Sequence, residues 1–309
     1  MPRRAVIDIG TNSVKLLVGD VTGQQVQPVL EESEQTRLGQ GFYPHHRLQT
    51  NAMVHTAHVV AAYTSRAQSQ GAETVRVIGT SAVRDAFNAE ELIGAVRTAS
   101  GRTIEVISGD QEAEWAFRGV SSDPAYATQP VLLLDVGGGS TEFIVGAAGR
   151  MHYRNSFKLG TVRLLEMSHL SDPPTAEQRQ RCLKGLKDFF TQIIQPEVGP
   201  ALEPFRQQSL RLVGTGGSTT ILARMQLATT EFDRAQIESV TLSRQRLGEL
   251  NDRLWNAPLA ARKQIIGVPP NRADVILMGA AIYDTVMDVF NFPELRITTR
   301  GLRFAALMD

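Results

Sequence analysis

Two aspartates stand in the same local setting. Asp8 ends the apolar run Ala5-Val6-Ile7 and precedes the turn Gly10-Thr11-Asn12-Ser13. Asp135 ends Leu132-Leu133-Leu134 and precedes Gly137-Gly138-Gly139-Ser140-Thr141-Glu142. In each case a second apolar run follows, which is the pattern of a β-hairpin. A turn built from Gly, Ser, Thr and Asn lets backbone N–H groups point outward without side-chain obstruction, and such a concavity binds anionic oxygens. Hydroxyls at Thr11, Ser13, Ser140 and Thr141 add donors. An Asp at the end of each first strand is too near a bound phosphate to touch it without repulsion, which points to Mg²⁺ or a water between them. A third turn, Gly214-Thr215-Gly216-Gly217-Ser218, follows the run Leu212-Val213 and opens a helix-like segment. The N–H groups of Gly216, Gly217 and Ser218 would add a helix-terminus anion site.

The elements that must position these turns repeat as well. Asp8 and Asp135 are 127 residues apart, about the size of a domain, so the duplication predicts two similar domains facing one another across a phosphate-holding cleft. Helical spacing over Thr50–Gln70, the strand Val75–Gly79, a helix from Asn88 to a stop at Gly101, and the strand Ile104–Ile107 give an α/β layer. Asp110 is expected to cap the next helix, with Glu112 in its first turn. Thr175 and Gln178 form a capping-box pattern for a helix to Gln195, which the prolines of 196–204 should break. Another helix is expected from Ala273, stopped by Phe292-Pro293. The expected domains are 1–120 with 293–309, and 121–292.

Composition narrows the function classes. The 309 residues carry 32 basic and 32 acidic side chains, so no global field draws the chain to nucleic acid or membrane. One cysteine, Cys182, gives neither a disulfide framework nor a zinc cluster, and with Leu186 and Phe189 it reads as a core thiol. No leader-like or membrane-length apolar run is present, and a cytoplasmic protein is expected. His55 and His58 share a helical face but have no third ligand in reach.

The chain resembles the exopolyphosphatase and guanosine pentaphosphate phosphohydrolase family, within the actin-like, sugar-kinase and heat-shock ATPase superfamily. The two Asp-Gly hairpins and Gly214–Ser218 carry the likeness, with four further stretches. These are Thr80-Ser81-Ala82-Val83-Arg84-Asp85-Ala86-Phe87-Asn88, Ile107-Ser108-Gly109-Asp110-Gln111-Glu112-Ala113, Lys158–Leu164 and Arg272-Ala273-Asp274. The implied fold is α/β, two actin-like (ribonuclease H-like) domains with mixed sheets flanked by helices and an active-site cleft between them. The chain departs from the family pattern where Gln111 replaces the first of two consecutive acids, and where Gly301-Leu302-Arg303 continues with Phe304-Ala305. It is similar to the short, two-domain form.

By position alone Glu112 reads better as a good helix starter than as a base, and Arg84 reads equally as a surface arginine paired with Asp85 and as a phosphate clamp. The resemblance instead implies that Glu112 is the catalytic base and that Arg84 clamps a terminal phosphate. It implies that Asp135 and Glu142, with Asp8 a weaker candidate, hold Mg²⁺ partly through water. Residues Gly10 to Ser13 and Gly137 to Thr141 would cradle successive phosphates. The expected function is Mg²⁺-dependent removal of terminal phosphates from inorganic polyphosphate, short chains favoured, or of the 5′ terminal phosphate of guanosine pentaphosphate. An ATP-dependent kinase or ATPase, and a non-enzymatic polyphosphate or guanosine polyphosphate sensor, are the alternatives. No nucleic-acid or membrane partner is expected, and the resemblance leaves room for a homodimer.

Overall fold

The computed structural model describes Met1–Asp309 and divides into two compact units, residues 1–122 with 301–309, and residues 123–300. The first unit opens with β1 (Arg3–Ile9), β2 (Val14–Thr22) and β3 (Gln25–Glu34). Helix α1 (Thr50–Ser69), strand β4 (Thr74–Gly79), the short α2 (Ser81–Arg84), α3 (Ala89–Ser100), β5 (Ile104–Val106) and α4 (Gly109–Ser121) follow. The sheet order is β3-β2-β1-β4-β5, with β1, β4 and β5 parallel and the β1-β2-β3 meander antiparallel.

Strand alternation explains the unbroken apolar run of β1. Ala5, Ile7 and Ile9 pack with residues of α1 and α3, whereas Val6 faces the other way and packs with Trp115 of α4. Asp8 therefore emerges on the Val6 side of the sheet.

The second unit repeats the plan with β6 (Val131–Val136), β7 (Thr141–Ala147) and β8 (Arg150–Phe157). Then come α5 (Thr161–Ser168), α6 (Ala176–Phe189), α7 (Gln195–Leu202), β9 (Arg211–Thr215) and α8 (Gly217–Leu227). Helix α9 (Arg234–Ser239), β10 (Thr241–Ser243), α10 (Arg244–Asn256), α11 (Leu259–Arg262), α12 (Ile276–Val289) and β11 (Glu294–Ile297) complete it. Its sheet order is β10-β11-β9-β6-β7-β8. Leu132, Leu134 and Val136 enter the core with α6, α7, α10 and α12, which places Asp135 on the opposite face. The 127-residue offset also relates Gly19 to Gly146, and each marks a register shift with the third strand of its meander. Helix α13 (Leu302–Met308) returns to the first unit and packs Leu302, Phe304 and Leu307 beside Val6, Leu17 and Trp115.

Several local expectations change. Ser108, not Asp110, caps α4, its hydroxyl accepting from Gln111 N at 3.1 Å, because an oxygen two residues earlier reaches the first-turn N–H groups. The capping box of Thr175 and Gln178 forms as read, but the prolines beyond it do not stop the chain. The helix widens to π geometry over Phe190–Ile194 and continues into α7, with Pro196 in its first turn and Pro200 inside it, so the local widening accommodates a proline that an unbroken α-helix would not. A 3₁₀ turn over Pro270–Arg272 delays α12 to Ile276. Residues 293–300, assigned from the sequence to the first domain, supply β11 to the second sheet, where Leu295–Ile297 pair with Leu212–Gly214. No helix is long and apolar enough to cross a membrane.

Candidate functional site

In the first unit the β1–β2 turn is closed by Gly10 N donating to Ser13 O at 3.0 Å. The segment after β3 fixes its orientation: Gly39 N donates to Thr11 O at 2.7 Å and Arg37 N to Asn12 O at 3.1 Å. A planar trans peptide sets its N–H opposite its carbonyl, so the N–H groups of Asn12 and Ser13 are aimed away from that segment. Gly39 is required for the approach, since a Cβ there would lie 2.3 Å from Thr11 Cγ2. Asp8 is buried, its Oδ1 has no hydrogen-bond partner, and burial raises its pKa against the lowering effect of Lys15 and Arg303.

Arg84 and Glu112 are brought together. Arg84, at the end of α2, donates through Nη1 to Glu112 Oε2 at 3.2 Å and to Ile107 O at 2.9 Å, while its Nε stands 3.9 Å from Asp85. Glu112 is 7% exposed in the first turn of α4, where the helix dipole favours a carboxylate. The sequence offered Asp85 as the ion partner of Arg84. The structure adds Glu112 because β4 and β5 are parallel neighbours, so the segments leaving their C-terminal ends emerge side by side.

The second unit builds the same turn. Gly137 N donates to Ser140 O at 3.0 Å, the counterpart of the Gly10–Ser13 bond. Here α5 takes the orienting role, with Thr161 N donating to Gly137 O at 3.0 Å and Val162 N to Gly138 O at 2.9 Å. Arg163 Nε donates to Gly139 O at 2.9 Å. With those three carbonyls committed to α5, peptide planarity aims the N–H groups of Gly138, Gly139 and Ser140 the other way. Gly160 permits this contact, because a Cβ there would lie 2.4 Å from Gly138 C. In the sequence Gly160 and Arg163 stand out only as members of the stretch Lys158–Leu164. Thr141 Oγ1 donates to Leu159 O, which ties its hydroxyl to the start of this same connection.

Asp135 and Glu142 are directly paired across β6 and β7. Glu142 is 1% exposed and accepts from Ser156 Oγ at 2.8 Å. The third turn meets this pair: Gly216, at φ 92°, lies so close that a Cβ would be 2.7 Å from Asp135 Oδ1. Gly217 begins α8 under Arg272, whose Nη2 would be 3.3 Å from a Cβ, and Ser218 packs on Gly279. Tyr283 donates to either Leu134 O or Thr215 O, both at 3.3 Å. Burial first, and then the charge of Asp135, hold its phenol well above the ordinary tyrosine pKa.

Facing carboxylates destabilise a strand pair unless a cation or proton intervenes, so Asp135 and Glu142 fit a divalent ion. No group of three His, Cys, Asp or Glu side chains converges to hold a metal, so its other ligands would be water and the phosphate oxygens it serves.

Residues 17–309 match the Ppx/GppA phosphatase family. Exopolyphosphatase 2 of Mycobacterium tuberculosis is 31% identical over 296 residues, covering 92% of this chain and 89% of that protein. The guanosine-5′-triphosphate,3′-diphosphate pyrophosphatase of Vibrio cholerae is 27% identical over 303 residues, and the match spans 98% of this chain but 58% of that protein. Among solved structures, an exopolyphosphatase from Cytophaga hutchinsonii superposes with a TM-score of 0.87 at 26% identity, covering 99% of this chain and 96% of the other. The Aquifex aeolicus PPX-GPPA enzyme gives 0.78 at 29% identity, covering 99% of each. Two mixed sheets, duplicated glycine hairpins and a match across nearly the full sequence lead to one conclusion: this chain is a member of the Ppx/GppA phosphatase family.

Proposed function

We propose that the chain hydrolyses phosphoanhydrides, removing terminal phosphates from inorganic polyphosphate or the 5′ terminal phosphate of guanosine pentaphosphate. The observation that carries this reading is the buried Glu112 carboxylate held by Arg84 at a helix N-terminus. Hydrolysis needs a water set in line with the scissile bond, and a carboxylate that orients it and accepts its proton. The bond from Arg84 holds the Glu112 carboxylate in place to orient that water. The outward N–H groups at Asn12–Ser13 and Gly138–Ser140 supply donors for phosphoryl oxygens, with Thr11 and the Gly216–Ser218 turn completing the phosphate-binding set, while the Thr141 hydroxyl, expected from the sequence among these donors, instead donates to Leu159 O. Mg²⁺, held by Asp135 and Glu142 with Asp8 a lesser contributor, would neutralise charge on those oxygens. The balance of 32 basic and 32 acidic residues supplies no field to grip a long polyanion, which favours short chains.

The test is phosphate release with Mg²⁺ from short polyphosphate, long polyphosphate, guanosine pentaphosphate and ATP in parallel, for wild type and Glu112→Gln. The expected result is release from short polyphosphate or guanosine pentaphosphate that falls about 10²–10⁴-fold in the variant with little change in KM. Equal rates in the two proteins would overturn the role of Glu112, and preference for ATP would overturn the substrate class.

A further inference from the structure

Within the second unit, α5, α6 and the Lys158–Leu159 segment after β8 line an open pocket of about 570 Å³. Its wall is apolar at Leu159, Leu164, Leu186 and Phe189, and Cys182 contributes a half-buried thiol that burial keeps protonated. Three cations, Lys158, Arg163 and Arg181, line it, and no lining residue is acidic. The volume lies in the range of small-molecule sites. Gly185 on α6 also lines the cavity, and a Cβ there would meet nothing within 4 Å.

The polar side chains of the wall narrow the ligand. Gln178 is occupied by its own helix cap: its Oε1 accepts from Thr175 N and Ser171 N, and its Nε2 donates to His169 O. Ser168 donates to Leu164 O and lies 3.5 Å from Cys182 Sγ. A nucleobase or a sugar needs several polar partners along its edges, and with these two side chains engaged only His169 is left beside the three cations. An apolar body with one anionic head meets both the wall and the cations.

We propose that this cavity binds a single-headed organic anion, a carboxylate or sulfonate carried on an aliphatic or aromatic body, with Lys158 and Arg181 receiving the head. The inference rests on the cavity and not on the hydrolase reading. Because Arg163 of the same wall holds Gly139 O, the ligand would lie one side chain from the second glycine turn.

The experiment is fluorescence titration of the full chain with 1-anilinonaphthalene-8-sulfonate, with laurate and inorganic tripolyphosphate as competitors. Three proteins are compared: wild type, Lys158→Glu/Arg181→Glu, and Gly185→Leu, which sets an aliphatic side chain into the pocket. Thermal melts by circular dichroism check that each is folded. The expected result is saturable 1:1 binding displaced by laurate, weakened about tenfold or more by the charge reversal and lost in Gly185→Leu. Absence of saturable binding, affinity unchanged in the folded variants, or release by tripolyphosphate but not by laurate would overturn the proposal. Should Gly185→Leu fail to fold, the charge-reversed protein decides.

Discussion

Arg84 does two things with one guanidinium: it binds the Glu112 carboxylate and the Ile107 carbonyl at the entrance to α4. A lysine keeps the charge but lacks the rigid planar fork, so Arg84→Lys should lower kcat by about tenfold or more. If the two residues act as a unit, adding Arg84→Lys to Glu112→Gln should cost little beyond the single Glu112→Gln loss. Steady-state rates for the four proteins of this cycle check it, and strictly additive losses would show that Arg84 acts independently of Glu112. Gln111 has its backbone N–H on the Ser108 cap, so a glutamine at this position leaves the helix start intact.

Elements, not side chains, aim the two glycine hairpins. The Arg37–Gly39 segment turns the first, and the start of α5 turns the second, each by taking carbonyls out of the concave side. The glycines that permit these approaches should be intolerant of a methyl group. Gly39→Ala and Gly160→Ala each place a Cβ inside contact distance of the hairpin, and overpacking of this kind costs about 1–3 kcal/mol. Denaturant midpoints should fall, and KM for phosphate substrates should rise more than kcat drops. A separate element-scale test concerns α10 and α12. Asn251 Nδ2 donates to Asp284 Oδ2 at 3.0 Å, yet burial, the largest effect, raises the pKa of Asp284 above its ordinary 3.8. The folded state therefore holds this proton more tightly than the unfolded chain, and the associated stability, complete below pH 3.8, is lost as pH rises through the raised value. Asp284→Asn, whose amide oxygen can still accept from Asn251, should gain stability over wild type as pH rises above 4, as read by urea midpoints at stepped pH. A difference that shrinks with rising pH would contradict the assignment.

At the scale of the molecule, the chain crosses between its units twice, after Ser122 and after Arg300, so the first unit is completed by the last nine residues. Helix α13 is fastened at both ends: Arg303 Nη1 donates to Leu16 O at 3.1 Å, and the Asp309 carboxylate accepts from Trp115 Nε1 at 2.8 Å and pairs with Arg118 at 2.7 Å. Gly119 of α4 lets the Gly301 turn approach, since a Cβ there would lie 2.0 Å from Gly301 O. Burial of Leu302, Phe304 and Leu307 at about 1.5–3 kcal/mol each is comparable with the whole stability of a typical domain, about 5–15 kcal/mol. Deleting 301–309 should therefore unfold the first unit while β6–β9 of the second keep their protection in hydrogen exchange. Retained protection in β1 and β2 would refute that dependence.

The sequence by itself determined what depends on neighbours along the chain. The hairpins around Gly10–Ser13 and Gly137–Thr141, the Thr175 capping box and the Gly101 helix stop all follow from turn, cap and periodicity rules acting over a few residues. The duplication at a 127-residue offset was legible for the same reason, because each copy repeats a local pattern. Tertiary structure decided the pairings between segments distant in sequence. Nothing local tells Arg84 that its partner is Glu112, Gly160 that it must lie against Gly138, or β11 that it pairs with β9. Those contacts are selected by which parallel strands share an edge and which backbones approach closely enough to exclude a Cβ, quantities fixed only when the whole sheet has formed.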